Sequence, residues 1–572
     1  MKRSYNYKET YNQWIHDPAI DATLKHELVA IEGQDKEIED RFYRDLEFGT
    51  GGLRGVMGAG TNRMNRYTVG RAAQGFASYI NHVAPHRGSV VIAYDSRSQS
   101  YEFALETALV MAANQVRAYI FESLRPTPEL SFAVRYLRAT AGIVITASHN
   151  PPEYNGFKAY GQDGGQLLPD VAEQVMRAIA LISSPSQILR MERSVAEQAG
   201  KLVWIGSSID QAYLDAVVSA SPNYGIVTDS RRGREALKII YTPLHGAGNL
   251  LVRTALAQAG FADVFVVPEQ EQPDAQFSTV ASPNPEEHAA FAIALKYAEQ
   301  HEAKLLLATD PDCDRVGVVV RDGAGKYQFL TGNQTGAVIA EYIFSILTGE
   351  GKMPVNAVMI NTIVSSDLGR AVANHYGVKV MQTLTGFKYI GAKMTEFEKS
   401  GEYTFVLGYE ESYGYLVGDY ARDKDAVVAS LLVAEAAAYY QRQGLTLTDL
   451  LQQIYARHGY YLENLQARTL KGKDGVAKMS TLMDNWRSNA PKHIAGQPVA
   501  QVFDYLQDIH SLPVENVLKF LLQDGSWFCL RPSGTEPKMK MYFAVVGKSE
   551  ADAKLNLDQL VNDVMQLVDQ AI

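Results

Sequence analysis

Cysteine is nearly missing from this chain of 572 residues, which holds two, Cys313 and Cys529. So sparse a supply excludes a disulfide framework and suits a reducing compartment. Also missing is an apolar segment near the N-terminus. Met1-Lys2-Arg3-Ser4-Tyr5 gives way to polar and charged residues, so no secretory signal is expected. No later stretch approaches the roughly 20 uninterrupted apolar residues that a membrane span needs. An excess of positive charge is lacking too. The 54 Lys and Arg against 64 Asp and Glu leave a net charge of −10, which argues against a general nucleic-acid or anionic-membrane binder. Any anionic ligand must therefore be met by local cationic pockets. The expectation is a cytoplasmic protein with neither nucleic acid nor membrane as partner. No feature specifies an oligomeric state.

What is present is material for buried cores: 46% hydrophobic and 10% aromatic residues. The length predicts three or four domains. From Val90 the pattern reads strand, helix, strand, helix, strand, ending at Ile143 to Thr146, and the same order recurs from Lys238 to Ala308 and from Val358 to Leu407. Strands alternating with helices imply mostly parallel sheets, which bind ligands beyond the carboxyl ends of their strands. Those ends read Thr146-Ala147-Ser148-His149-Asn150-Pro151, then Asp310-Pro311-Asp312-Cys313-Asp314-Arg315, then Gly408-Tyr409-Glu410-Glu411-Ser412. A nucleophile, a carboxylate cage and a polar recognition loop thus occupy equivalent places.

The predicted fold class is α/β: three tandem, similar β-α-β-α-β domains with mixed sheets, plus a smaller C-terminal α+β domain, around a central cleft. The expected boundaries are 1–208 for the first domain with an added N-terminal helical segment, 209–323 for the second, 324–455 for the third and 456–572 for the last. That last part contains another dense polar loop, Arg531 to Lys538.

Asp310, Asp312 and Asp314 put three hard carboxylates on one short loop, suited to an oxygen-preferring cation such as Mg²⁺. An EF-hand is excluded, because its glycine position would be Arg315 and its terminal glutamate Arg321. A solvated acidic turn is the plainer alternative. Ser148, between a strand and a proline-bearing turn, is expected to hold its hydroxyl exposed at the sheet edge. No G-x-S-x-G elbow surrounds it, so a hydrolase triad is a weak reading, and a Ser-Asn turn is the bland one. Lys158 follows closely enough to fold back toward Ser148, or is a surface lysine. Arg531, Ser533, Thr535 and Lys538 offer two cations and two hydroxyls around Gly534, whose bare backbone lets N–H groups approach a phosphate. A salt-bridged turn is the alternative there.

Taken together these loops resemble those of the α-D-phosphohexomutase family, in the family's order, from Gly49-Thr50-Gly51-Gly52-Leu53-Arg54 to about Tyr542. The resemblance is greatest to the long bacterial phosphoglucomutase branch. It implies that Ser148 is the phosphorylated serine and also a metal ligand beside Asp310, Asp312 and Asp314. It implies that Arg54, His149 and Arg315 line the reacting phosphate, with Lys158 or His149 handling a proton. Thr385-Gly386-Phe387-Lys388 resembles a specificity loop, Glu410 and Ser412 sugar contacts, Lys424 a second lysine near the sugar, and Arg531, Ser533, Gly534, Thr535 and Lys538 a phosphate loop. The implied activity is interconversion of α-D-glucose 1-phosphate and glucose 6-phosphate, with Mg²⁺ as cofactor and glucose 1,6-bisphosphate as activator. Mannose or pentose phosphates as substrates, bisphosphate synthesis, a phosphatase and a non-catalytic sugar-phosphate sensor are the alternatives. Tyr409 and Tyr413, bulkier than the family's commonest sugar loop, leave the choice of sugar open.

Overall fold

A computed structural model describes residues 6–49, 51–224, 236–469, 472–507, 509, 512–532 and 538–571, the side chains of 472–476 and 571 excepted. Its sheets arise where the sequence runs apolar for five or six residues. Ser89–Tyr94, Ala141–Ile145, Leu305–Thr309 and Ala357–Thr362 are buried along nearly their whole length. Such strands, covered by helices on both faces, need apolar residues at every position rather than at alternate ones.

In the first sheet Ser89–Tyr94 lies between Arg117–Phe121 and Ala141–Ile145, parallel to both. Ile239–Thr242 holds the same place between Val264–Val266 and Leu305–Thr309, and Ala357–Thr362 between Lys379–Thr383 and Thr404–Glu410. Each trio then gains an antiparallel neighbour: Tyr154–Tyr160, Val316–Arg321 and Gly414–Val417 respectively. The sheets are therefore mixed, and the expected β-α-β-α-β unit is present three times. The fourth sheet is antiparallel throughout and begins with the long strand Tyr460–Thr469, paired along its length with Lys538–Gly547. Helix Glu550–Ala571 packs on it. Three N-terminal helices, Tyr7–His16, Ala22–Val29 and Asp35–Phe42, close a small core around Trp14 and Phe42 to which Ala59 and Tyr67 of the first domain contribute.

Two kinds of seam join these units. The segment Arg422–Asp425 inserts polar groups between the first three. Tyr160 Oη donates to Asp423 at 2.8 Å, Arg422 N to Ser131 Oγ at 2.8 Å and Tyr213 Oη to Asp425 at 2.8 Å. The last unit docks on the third largely through an apolar cluster that includes Ile363, Val364, Leu384, Trp527 and Tyr542. One buried cation crosses that seam, Lys519, which donates to the Ile363 carbonyl at 2.6 Å over the ring of Trp527. Among the described residues no helix is long and apolar enough to cross a membrane.

Candidate active site

The carboxyl ends of the three parallel trios converge on one cleft of about 1110 Å³, lined from all four units. Its floor is built where the first and second sheets end. Ser148 stands three residues beyond Ala141–Ile145, and Asp310 follows Leu305–Thr309 directly. Ser148 Oγ donates to Asp310 Oδ2 at 2.8 Å. The expectation of an exposed serine needs correction, since Ser148 is 3% exposed. An isolated strand end would be open, but here the loop of the second domain folds over it.

The three aspartates are fully buried and offer one oxygen each within 4.8 Å of one another. Asp310 Oδ1 is satisfied by the N–H groups of Asp314 and Arg315. Lys158 Nζ reaches Asp312 Oδ2 at 2.6 Å and Asp314 Oδ2 at 3.2 Å, and Lys424 Nζ reaches Asp314 Oδ2 at 3.0 Å. Yet among the described residues neither Asp312 Oδ1 nor Asp314 Oδ1, both buried, accepts a hydrogen bond, although Arg315 Nε lies 3.8 Å from the latter. Orphaned anionic oxygens converging in a buried pocket fit a hard cation, which supplies the missing positive charge. The acidic-turn reading accounts for neither orphan.

Electrostatics divides these groups. Burial raises the Asp310 carboxyl well above its ordinary range, and its two aspartate neighbours push the same way. For Asp314 burial works in the same direction, but Lys158, Lys424 and Arg315 outweigh it and hold the group ionised. Burial lowers the His149 imidazole well below its ordinary value, helped by the charges of Arg315 and Arg54. A neutral His149 thus stands with Nδ1 3.2 Å from Ser148 Oγ. Lys158 loses some basicity to burial and more than regains it from Asp312 and Asp314.

Around this floor, Arg54, His149 and Arg315 line the cleft. Arg54 donates to Asn150 Oδ1 at 3.3 Å, and Arg315 pairs closely with Glu286. Thr385, Gly386, Phe387, Lys388, Glu410, Ser412 and Lys424 line its wall. Glu410 Oε1 accepts from Gly386 N at 2.8 Å, at the start of helix Phe387–Ser400. Gly386 takes φ +118, a conformation closed to residues with a side chain. Arg531 and Lys538 line it from the last unit. Ser533, Gly534 and Thr535, and Thr50 of the opening motif, lie outside the described residues.

Several lining groups escaped the sequence reading. Lys540 and Tyr542 face the cleft beside Lys538, while Met539 and Met541 between them enter the core. The alternation Lys538-Met539-Lys540-Met541-Tyr542 carried that signal, since a strand turns every second residue to the same face. Glu515, whose Oε1 accepts from Arg531 Nε and Nη2 at 3.1 Å each, left no local trace. Nor did Thr127, whose hydroxyl donates to Asp312 Oδ2 at 2.8 Å from another domain.

Comparison with known proteins agrees with this geometry. The models for phosphoglucomutase/phosphomannomutase alpha/beta/alpha domains I, II and III match residues 45–185, 211–323 and 331–458, and that for the C-terminal domain matches 474–559. A phosphoglucomutase of Staphylococcus epidermidis is 37% identical over 564 residues, covering 95% of this chain and 100% of its own. A phosphoglucomutase/phosphomannomutase family protein of Burkholderia thailandensis shares the fold with a TM-score of 0.67 at 19% identity, over 92% of this chain and 97% of its own. N-acetylphosphoglucosamine mutase of Aspergillus fumigatus, solved with GlcNAc-6P and magnesium, is more distant, with a TM-score of 0.51 at 13% identity over 92% of this chain and 96% of its own. With its four domains matched in order and a relative at this identity along nearly its whole length, the chain belongs to the α-D-phosphohexomutase family, in the bacterial phosphoglucomutase branch.

Proposed function

We propose that the protein interconverts α-D-glucose 1-phosphate and glucose 6-phosphate, acting as an intramolecular phosphotransferase through phospho-Ser148 and a glucose 1,6-bisphosphate intermediate. One observation carries the reading: a single cleft is lined by two sets of cations from different units, Arg54 and Arg315 from the segments beside buried Ser148, and Arg531, Lys538 and Lys540 from the last unit, with Glu410 and Ser412 in the same lining. A hydrolase needs only the first set.

In this reading residues 1–208 supply the phosphoserine, 209–323 the metal loop, 324–455 the sugar loop and 456–572 the grip on the distant phosphate. Asp310, Asp312, Asp314 and an oxygen on Ser148 would hold Mg²⁺. When bound, Mg²⁺ offsets the negative charge that a transferring phosphoryl group spreads over its oxygens. The sugar's free hydroxyl attacks phosphorus, the bond from phosphorus to Ser148 Oγ breaks, and the hydroxyl proton passes to neutral His149, while Lys158, kept as the ammonium by Asp312 and Asp314, is the group that can give a proton back. Arg54 and Arg315 stabilise the charge on the transferring group. The bisphosphate then turns about, and its other phosphate goes to Ser148, releasing the isomeric monophosphate. Free glucose 1,6-bisphosphate activates by phosphorylating an empty Ser148. The two buried, unpaired cysteines support a cytoplasmic setting.

The test is a coupled assay with glucose 1-phosphate, Mg²⁺ and trace glucose 1,6-bisphosphate, run beside mannose and ribose 1-phosphates, with mass spectrometry of the Ser148 peptide. Preferred turnover of the glucose ester, with phosphate found on Ser148, is expected. Preference for another sugar overturns the substrate assignment, and turnover without phosphate on Ser148 overturns the mechanism.

A further inference from the structure

Ser148 has φ +53, the left-handed region that residues with a side chain seldom enter. Such strain persists only where the surroundings impose it. The Ser148 backbone is met here by a pair of residues from the loop after strand Ser89–Tyr94, neither of them among those lining the cleft. Arg97 is 3% exposed. Its Nη1 donates to the carbonyls of Pro151 at 2.8 Å and Tyr154 at 3.0 Å, and its Nη2 to those of Ser148 and Asn150. Its Nε lies 3.3 Å from Asp95 Oδ2, and the guanidinium sits 5.0 Å from the ring centroid of Phe277, which comes from the second domain.

Asp95 completes the grip from the other side of the peptide. Its carboxylate accepts from Ser100 Oγ at 2.7 Å, Arg97 N at 3.0 Å and Thr146 Oγ1 at 2.6 Å. Thr146 Oγ1 in turn accepts from Ser148 N at 2.8 Å. Both backbone polar groups of Ser148, its N–H through Thr146 and its C=O through Arg97, are therefore tied to one buried ion pair. Four carbonyl oxygens gathered by one planar cation are also four oxygens not turned toward an anionic phosphoryl group. A lysine, with one compact ammonium, cannot reach four acceptors spread over seven residues.

We propose that Arg97 is a positioning residue for phosphoryl transfer: by gathering the carbonyls of residues 148, 150, 151 and 154 it holds Ser148 in its left-handed conformation, with Oγ directed at Asp310. The inference rests on the reading of Ser148 as the phosphoryl carrier and adds to it the part that aims the nucleophile.

The experiment compares the full-length wild type with Arg97→Ala, Arg97→Lys and Thr146→Val. It reads kcat, KM, phosphorylation of Ser148 by glucose 1,6-bisphosphate, and deuterium exchange across residues 147–154. Misplacing a reacting atom by about 1 Å costs on the order of 100-fold, so Arg97→Ala should lower kcat and the phosphorylation rate by about that factor. KM should change less than about threefold, because the sugar-binding wall is untouched. Exchange in the loop should rise by about tenfold or more while the fourth sheet stays protected. Added guanidinium, at about 20 mM, should restore kcat of Arg97→Ala by about tenfold, and Arg97→Lys should remain as impaired as the alanine variant, because the planar fork and not the charge alone does the holding.

Full activity in Arg97→Lys, or loop exchange equal to wild type in Arg97→Ala, overturns the proposal. Should Arg97→Ala fail to fold, Thr146→Val decides. It is expected to exchange faster in the loop and to lose kcat at constant KM, and wild-type behaviour in both overturns the proposal. A wild type that takes no phosphate at Ser148 overturns the carrier reading instead, and the exchange measurement, which senses the loop and not the chemistry, still decides whether Arg97 holds it.

Discussion

Replacing Glu515 by glutamine should tighten the grip on the non-reacting phosphate. Arg531 directs Nε and Nη2 at Glu515 Oε1, at 3.1 Å each, so its charge is partly neutralised before any ligand arrives. A phosphate on the other side of the guanidinium would lie about 7 Å from that carboxylate. Two charges against one at that distance repel by roughly 1.2 to 2.4 kcal/mol for an effective dielectric of about 80 to 40. Both side chains are about a quarter exposed, so ions screen part of this over a Debye length of about 8 Å. About 1 kcal/mol remains, a fall of roughly fivefold in KM for glucose 1-phosphate. The glutamine oxygen still accepts from Arg531, so the guanidinium keeps its orientation. The assay is steady-state turnover coupled to oxidation of glucose 6-phosphate, at low ionic strength and again in high salt. The gain should shrink as salt rises, and Arg531→Ala should move KM the other way by roughly ten- to 150-fold, the loss of a charge-assisted contact of about 1.5 to 3 kcal/mol. A KM that rises in Glu515→Gln, or falls equally at all salt concentrations, would refute the reasoning and make Glu515 a support for Arg531 rather than a competitor for it.

Asp312→Asn should weaken Mg²⁺ binding and lower kcat, and chelation of the wild type should do the same; a rate indifferent to EDTA would return the acidic loop to a structural turn. Glu410→Ala should slow the reaction and release more glucose 1,6-bisphosphate, since the turning sugar loses a hydrogen-bond acceptor; lost activity without added release would remove Glu410 from that role. Burial raises the Glu435 carboxyl from 4.5 to about 7, with Ser221 and Tyr342 only partly compensating. Between those pH values the unfolded chain gives up a proton that the folded one keeps, so folding weakens by about 1.4 kcal/mol per pH unit and levels off above pH 7. Glu435→Gln should therefore stabilise the protein by up to about 3 kcal/mol at pH 8 and by little at pH 4.5, as read by denaturant unfolding; an equal effect at both pH values would discard this account.

The three repeats were legible because a buried parallel strand and its covering helix each impose a hydrophobic period, and the periods recur in the same order. The loops at the strand ends were legible because topology puts ligands there. What the sequence could not disclose is what folds over what. Ser148 looks like an exposed turn residue until the loop of the second domain covers it. Arg97 looks like one more arginine until the chain brings it beneath residues 148 to 154, about 50 positions later. Asp312 reads as a metal ligand on its own, but which of its oxygens stays free depends on Thr127 and Lys158, from a different domain. Contacts between distant segments leave no periodic trace, whereas Lys540 did leave one and could have been read from its strand.

One of the two lysines that lie on Asp314, Lys424, comes from the third domain, and this bears on how the molecule is made. On a ribosome the aspartate loop emerges well before Lys424. At roughly 5 to 20 residues per second that interval lasts on the order of 5 to 20 s. During it the first two domains are complete, but docking them would bury three carboxylates with Lys158 and Arg315 as the principal cations against them. Sealing that interface before Lys424 arrives leaves Asp314 without one of its two lysines; the segment Arg422–Asp425 also carries Asp423 and Asp425, so it brings a cation to Asp314 and not net positive charge. The charge balance at Asp314 is thus completed only once the third domain has been made and has closed on the first two.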